Sequence, residues 1–247
     1  MTEVTSSSRF ASVALTDVGK VRKLNEDAFL DDPAAGLWLV ADGVGGHARG
    51  DYASQLTVAT LAKIGPQESA AALLAAVKDG LSLVNENLLA FAANEHVDIV
   101  ATTVVALLCF GQHYAVLWAG DSRLYLLRGG QLYTVTRDHT AVQEMVDEGI
   151  ITAEQALHHP RRNVITRAVG ITGTLVLDMA KDRIEPGDLF LLCTDGLTKV
   201  MEDEEIARAL VERGGAGAPA YFIAKAIERG APDNVTVVTV ACPRLDV

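Results

Sequence analysis

Four strongly apolar stretches each carry an aspartate at one end. "LWLVAD" closes on Asp42, "YAVLWAGD" on Asp121 and "LFLLCTD" on Asp195, while "DNVTVVTV" opens on Asp233. A further acidic pair, Glu26-Asp27 in "KLNEDAFL", precedes another short apolar segment. Carboxylates gathered at one place cannot all stay ionised unaided. Like charges about 4 Å apart repel by several kcal/mol at intermediate dielectric, so some would hold protons. Hard divalent cations remove the conflict, and Mg²⁺ or Mn²⁺ takes oxygen ligands. Two such ions about 3.5–4 Å apart can activate a water and clamp a phosphoryl group.

Each aspartate also has a plain reading. Asp42-Gly43 and Asp195-Gly196 are common turn dipeptides, and Asp121 before Ser122 or Asp233 after Pro232 reads as a cap. Asp79-Gly80 lies inside a helical stripe and takes no role. What favours a site is the joint placement of the carboxylates beside the most apolar strands. Gly43, Gly45 and Gly46 let the backbone turn sharply near an ion, and the Gly43 carbonyl is itself a candidate ligand.

"GVGGHA" (43–48) formally fits a dinucleotide-binding fingerprint. About 20 residues on, however, the chain is still a helix or its Gly-Pro stop, where that motif needs a second strand ending in an acid. Asp42 would also set negative charge beside a pyrophosphate. Asp51-Tyr52 stands where a phosphate-cradling loop needs Lys followed by Ser or Thr.

The elements that must carry these residues are legible. Short β-branched runs predict strands over 9–15, 37–41, 102–110, 114–120, 123–128, 131–136, 175–180, 188–194 and 235–241. Several are apolar on both faces, as in the middle of a sandwich. Gly129-Gly130 marks a tight hairpin. Two helices fall between residues 49 and 94. The second carries Leu73, Val77, Leu81, Val84, Leu88 and Phe91 at helical spacing. Two more are expected near 202–213 and 219–229, and 139–158 reads as a short helical flap. Helix pairs outside an antiparallel sandwich fit this order better than a doubly wound sheet.

The 247 residues have no composition break that would split them, so one domain is expected over 9–247 after a disordered stretch at 1–8. Net charge is −11, which disfavours nucleic acid or an anionic membrane as partner. Cys109, Cys193 and Cys242 show no metal-binding spacing and read as buried, reduced thiols. The N-terminus lacks a signal-peptide pattern, and the longest apolar run, 104–110, is far short of the roughly 18 residues a membrane helix needs. A cytoplasmic location is expected.

Eight motifs in order, "DVGKVRKLNEDAF" (17–29), "VADGVGGHARG" (40–50), "ATTVVAL" (101–107), "WAGDSRLYLLR" (118–128), "TRDHT" (136–140), "NVITRAVG" (163–170), "LLCTDGL" (191–197) and "APDNVTVV" (231–238), span nearly the whole chain. Together they resemble the metal-dependent Ser/Thr protein phosphatases, the type 2C class, in its compact bacterial form. The resemblance implies an α+β fold, a four-layer α-β-β-α sandwich with two antiparallel sheets flanked by helix pairs. By the same resemblance Asp42 bridges two ions of Mn²⁺ or Mg²⁺, and Gly43 gives its carbonyl to one. Asp195 and Asp233 hold the other, and Asp121 with Asp195 matches a looser third-metal site. Glu26 and Asp27 orient water on the ions, and Arg22 grips the substrate phosphate with a guanidinium fork.

The implied reaction is a single in-line displacement on phosphoserine or phosphothreonine in proteins, opposing a bacterial Ser/Thr kinase. The partners expected are phosphorylated proteins and that cognate kinase, with the chain itself a monomer and its flap near 139–165. Animal members carry a His two residues after the bridging Asp, where this chain has Val44. His47 lies nearby with a different reach, and a loop hydrogen bond is its expected role. His158, His159, Arg161 and Arg162 read as an exposed charge run, and His96, His113 and His139 take no catalytic role. A catalytically silent phosphopeptide-binding relative is the main alternative, and the complete acidic set speaks against it.

Overall fold

The structure is a computed structural model, and it describes residues 10–44 and 49–242. The chain begins with strands β1 (Ala11–Asp17), β2 (Asp27–Asp32) and β3 (Leu37–Val44), then helices α1 (Gly50–Leu61) and α2 (Ala70–Glu95). Strands β4 (Ala101–Thr102), β5 (Val104–Phe110), β6 (His113–Ala119), β7 (Arg123–Arg128) and β8 (Gln131–Thr134) come next. Two short helices, α3 (Ala141–Asp147) and α4 (Ala153–Leu157), lead to β9 (Asp178–Arg183) and β10 (Leu189–Cys193). A single turn, α5 (Asp195–Thr198), precedes α6 (Asp203–Glu228) and β11 (Val235–Ala241).

All strand pairs are antiparallel. One sheet has the order β1-β11-β10-β7-β8, the other β2-β3-β5-β6-β9, with β4 beside β3. Alternation along each strand divides the core into three apolar layers. Trp38, Val40, Val105, Leu107, Phe190, Leu192, Val238 and Val240 fill the space between the sheets. Their strand neighbours Leu37, Leu39, Val104 and Ala106 face outward onto α1 and α2, meeting Val77, Leu81, Val84 and Leu88. On the other side Leu189, Leu191, Val235 and Val237 meet Ile206, Leu210 and Phe222 of α6. Strands covered on both faces must be apolar on both, which is why these runs show no polar alternation. Each fully buried Leu or Phe contributes about 1.5–3 kcal/mol. The fold is thus the expected four-layer α-β-β-α sandwich.

The differences from expectation lie at the edges. β2, "DAFLDD", is an edge strand with three aspartates, and its composition hid it. β9, also at an edge, starts three residues later than the apolar run 175–180 implied. The run 102–110 is broken at Thr103 into β4 and β5. Residues 139–158 form two short helices, α3 and α4, capped by Thr140 and Thr152. The two helices expected near 202–213 and 219–229 are both present within α6, separated by a kink where Gly214 leaves helical backbone. Gly129 and Gly130 both have positive φ in the hairpin joining β7 to β8. The three cysteines are buried and unpaired. The expectations for residues 1–8 and for Gly45, Gly46 and His47 lie outside the described residues. Among the described residues, no helix is long and apolar enough to cross a membrane.

Candidate metal centre

One rim of the sandwich collects the acidic residues. Asp42 lies near the end of β3, directly across from Asp27 at the start of β2. Asp121 follows β6, Asp195 follows β10 and Asp233 precedes β11. Both sheets therefore contribute, and the two are stapled together here. Asp27 Oδ2 accepts hydrogen bonds from Thr194 Oγ1 (2.8 Å) and Thr236 Oγ1 (2.7 Å), both on the opposite sheet.

The Asp42 backbone is held on both sides. Its N–H donates to Thr103 Oγ1 at 3.1 Å, and its carbonyl accepts from Thr102 Oγ1 at 2.9 Å and the Thr103 N–H at 2.8 Å. Thr103 Oγ1 also meets Ser122 Oγ at 2.7 Å, which ties Asp42 to the turn carrying Asp121. That turn is fixed again by His139, whose Nδ1 accepts from the Gly120 N–H at 3.2 Å while Nε2 faces Asp178 at 3.1 Å. The segment carrying Arg22 and Glu26 hangs on Asn234, which is buried. Asn234 Oδ1 accepts from the Glu26 N–H at 2.8 Å, and Nδ2 donates to the carbonyls of Val18 (2.9 Å) and Leu24 (3.0 Å).

The two Asp-Gly pairs are not turn chemistry. Neither Gly43 nor Gly196 has a positive φ. A Cβ on Gly43 would lie 2.4 Å from the Gly50 carbonyl, and one on Gly196 would lie 1.8 Å from the Asn234 carbonyl. Both glycines are required because backbones pass close beside the carboxylates.

The electrostatics record the crowding. Burial first, then the neighbouring Asp195 and Asp233, push the Asp27 carboxyl up to about 7 against the stabilising threonine hydrogen bonds. Burial and then Asp195 and Asp138 push Asp121 up to about 7. Burial, with Asp27 as the foremost of four facing carboxylates, holds Asp42 well above the usual range. Burial also raises Asp195, against the pull of Lys199, and raises Glu26, against the pull of Arg22. Asp233 is the exception. Burial pushes it up, but the hydrogen bond and charge of Lys199, together with Arg22, bring it below its ordinary value. Arg22 sets Nε 2.9 Å from Asp233 Oδ1 and Nη2 3.1 Å from Oδ2. Lys199 Nζ lies 2.5 Å from Asp195 Oδ2 and 2.9 Å from Asp233 Oδ2.

As the side chains stand, no three acidic, His or Cys groups among the described residues surround a single ion position. Lys199 and Arg22 lie on Asp195 and Asp233 instead. The donor set nonetheless fits hard cations. Asp27 Oδ1, Asp121 Oδ1 and Asp195 Oδ1 are buried without a hydrogen-bond partner. Each such oxygen costs about 1–3 kcal/mol, or more when charged, until something positive meets it. Oxygen-only donors suit Mg²⁺ or Mn²⁺.

A sequence model of the family described as Protein phosphatase 2C matches residues 20–216, most of the chain and most of the rim. The chain belongs to the protein phosphatase 2C family. It is 42% identical over 242 residues to the serine/threonine protein phosphatase PstP of Mycobacterium tuberculosis, covering 96% of this chain and 46% of that protein. The chain thus spans about half the length of that relative. Among solved structures it is similar to PppA of Pseudomonas aeruginosa, with a TM-score of 0.87 and 44% identity over 94% of this chain and 97% of that one. It is also similar to the catalytic domain of PstP in complex with two manganese ions, with a TM-score of 0.85 and 37% identity over 94% and 97% of the two chains. Thr102, Thr103, Thr194, Thr236, Asn234 and Lys199 were not singled out from sequence, because uncharged partners and a lone Lys carry no spacing signal.

Proposed function

We propose that this chain hydrolyses phosphoserine and phosphothreonine monoesters in proteins, using Mn²⁺ or Mg²⁺. The observation that carries the reading is the set of five aspartates from both sheets at one rim, three of them with a buried, partnerless oxygen. Asp42, the Gly43 carbonyl, Asp195 and Asp233 would hold two ions, and Asp121 with Asp195 would serve a third. When bound, such ions lower the pKa of water and offset charge on phosphoryl oxygens.

The chain's own residues do the rest. Asp27, locked between Thr194 and Thr236, and Glu26, held through its backbone by Asn234, orient the attacking water. Arg22 has a planar fork, now closed on Asp233, that matches two oxygens of a phosphate dianion. With 43% of its side chain exposed, it can turn from that carboxylate to an arriving substrate. Phosphorus gains an oxygen from water and loses the Ser or Thr oxygen, which leaves as the free hydroxyl. Cys193 is buried beneath Asp195, and burial pushes its thiol up to about 12, so it is no nucleophile.

In this reading residues 9–247 form a single catalytic domain, with 139–165 as its flap. The enzyme is a cytoplasmic monomer that opposes a Ser/Thr kinase. Phosphate release from phosphoserine and phosphothreonine peptides tests the activity. Release with Mn²⁺, none in EDTA and recovery on adding Mn²⁺ back is the expected pattern. Undiminished turnover in EDTA, or release from phosphotyrosine alone, would refute it.

A further inference from the structure

We infer that Lys199 is a resident cation of this rim, a tether that bridges Asp195 and Asp233 and competes with the metal ion those two carboxylates share. The inference rests on the reading of both aspartates as ion ligands. It goes beyond that reading by assigning a role to a residue that carries none in it.

The geometry comes from one helical turn. Asp195 opens α5 and Lys199 caps it, its N–H donating to the Asp195 carbonyl at 2.8 Å. Four residues apart on a helix, the two side chains share a face. The turn is anchored by Leu197, which is fully buried under α6. From that base Nζ reaches Asp195 Oδ2 at 2.5 Å and Asp233 Oδ2 at 2.9 Å. Only 29% of the Lys199 side chain is exposed, so water screens the bridge weakly. An ordinary exposed i,i+4 pair is worth about 0.3–0.5 kcal/mol and would affect nothing else. This one differs because it takes an oxygen from each of two carboxylates on separate segments, one in α5 and one in the loop before β11.

An ammonium and a divalent ion cannot both occupy those oxygens. One positive charge offsets half of what the pair presents, and a divalent ion offsets all of it, so the ion displaces the lysine. The apparent affinity falls by the fraction of molecules in which the oxygens are free. The four-carbon stem of Lys199 lets the head swing out without moving the backbone. Arg22 also pairs with Asp233, but it does not touch Asp195 and so does not bridge.

Calorimetric titration of the EDTA-stripped protein with MnCl₂, with parallel thermal melts, reads this directly. Lys199→Met removes the charge and keeps the stem, and is expected to tighten Mn²⁺ binding about tenfold. The same variant should melt lower than wild type without metal and gain more from Mn²⁺. Lys199→Gln serves as a second neutral variant should the first fail to fold, and Lys199→Arg, which keeps the charge, should stay near wild type. Unchanged or weaker Mn²⁺ affinity in a folded neutral variant overturns the inference while the metal-dependent reading stands. Wild-type protein that takes up no Mn²⁺ overturns both.

Discussion

Asp42→Asn is expected to lower Mn²⁺-dependent phosphate release by at least about a thousandfold, while the metal-free protein melts several degrees higher. Partners that merely orient metal ligands already cost about 10–100-fold when changed. In the proposed reading Asp42 would serve as a ligand to the ions, so losing its charge would remove an anionic ligand from the centre. Asn has the same shape, and the Thr102, Thr103 and Ser122 network touches only the Asp42 backbone, so the strand end stays in place. The rise in stability has a separate cause. The Asp42 carboxyl is held high by burial and by Asp27, Asp195, Asp121 and Asp233, and a neutral amide relieves that repulsion. Function and stability oppose each other at this position. Kinetics in Mn²⁺ and a thermal melt in EDTA measure both effects. Activity within tenfold of wild type would remove Asp42 from the centre of the chemistry.

The second large effect is on stability and depends on pH. Burial and neighbouring carboxylates raise Asp27 and Asp121 from 3.8 to about 7 in the folded protein. Between these values the folded state keeps protons that the unfolded chain has released. The stabilisation is therefore full below about pH 4 and is lost progressively as pH rises towards 7. Both shifts favour the folded state at low pH, and together they contribute less than the sum of the two because the groups titrate together. Asp233, lowered overall, does not offset this loss. Its contribution is complete once pH exceeds the unfolded value, and it is lost only as pH falls through the lowered one. In EDTA the protein should thus melt several degrees lower at about pH 7.5 than at about pH 5.5. Mn²⁺ replaces the missing positive charge, so its stabilising effect should be larger at the higher pH. Equal melting temperatures in EDTA at both values would mean that the carboxylates do not crowd one another.

The aspartates were legible in sequence because each sits where a core strand must stop, and an apolar run ending in a charge is visible without knowing its neighbours. The helix stripes and the Gly129-Gly130 hairpin were legible for the same local reason. What stayed hidden depends on register between distant segments. Nothing in "CTDGL" or "NVTVV" says that Thr194 and Thr236 close on Asp27 across the gap between sheets. Asn234 reads as a turn residue until Val18, Leu24 and Glu26 are seen around it. The β2 strand was hidden because an edge strand needs only one covered face, and its three aspartates broke the apolar pattern. The Asp-Gly pairs were undecided until the close approach of Gly50 to Gly43, and of Asn234 to Gly196, gave the glycines a different purpose. Lys199 gave no signal, since a Lys four residues after an Asp is commonplace on solvated helices.

The most direct test is an anomalous-difference map from crystals of the chain grown with Mn²⁺. Two strong peaks are expected at the rim, with Asp42 against both, the Gly43 carbonyl against one, and Asp195 and Asp233 against the other. Lys199 Nζ should have withdrawn from both carboxylates. Ordered Mn²⁺ bound only elsewhere on the surface, with the Asp195–Lys199–Asp233 bridge intact, would contradict the assignment of this rim as a metal centre.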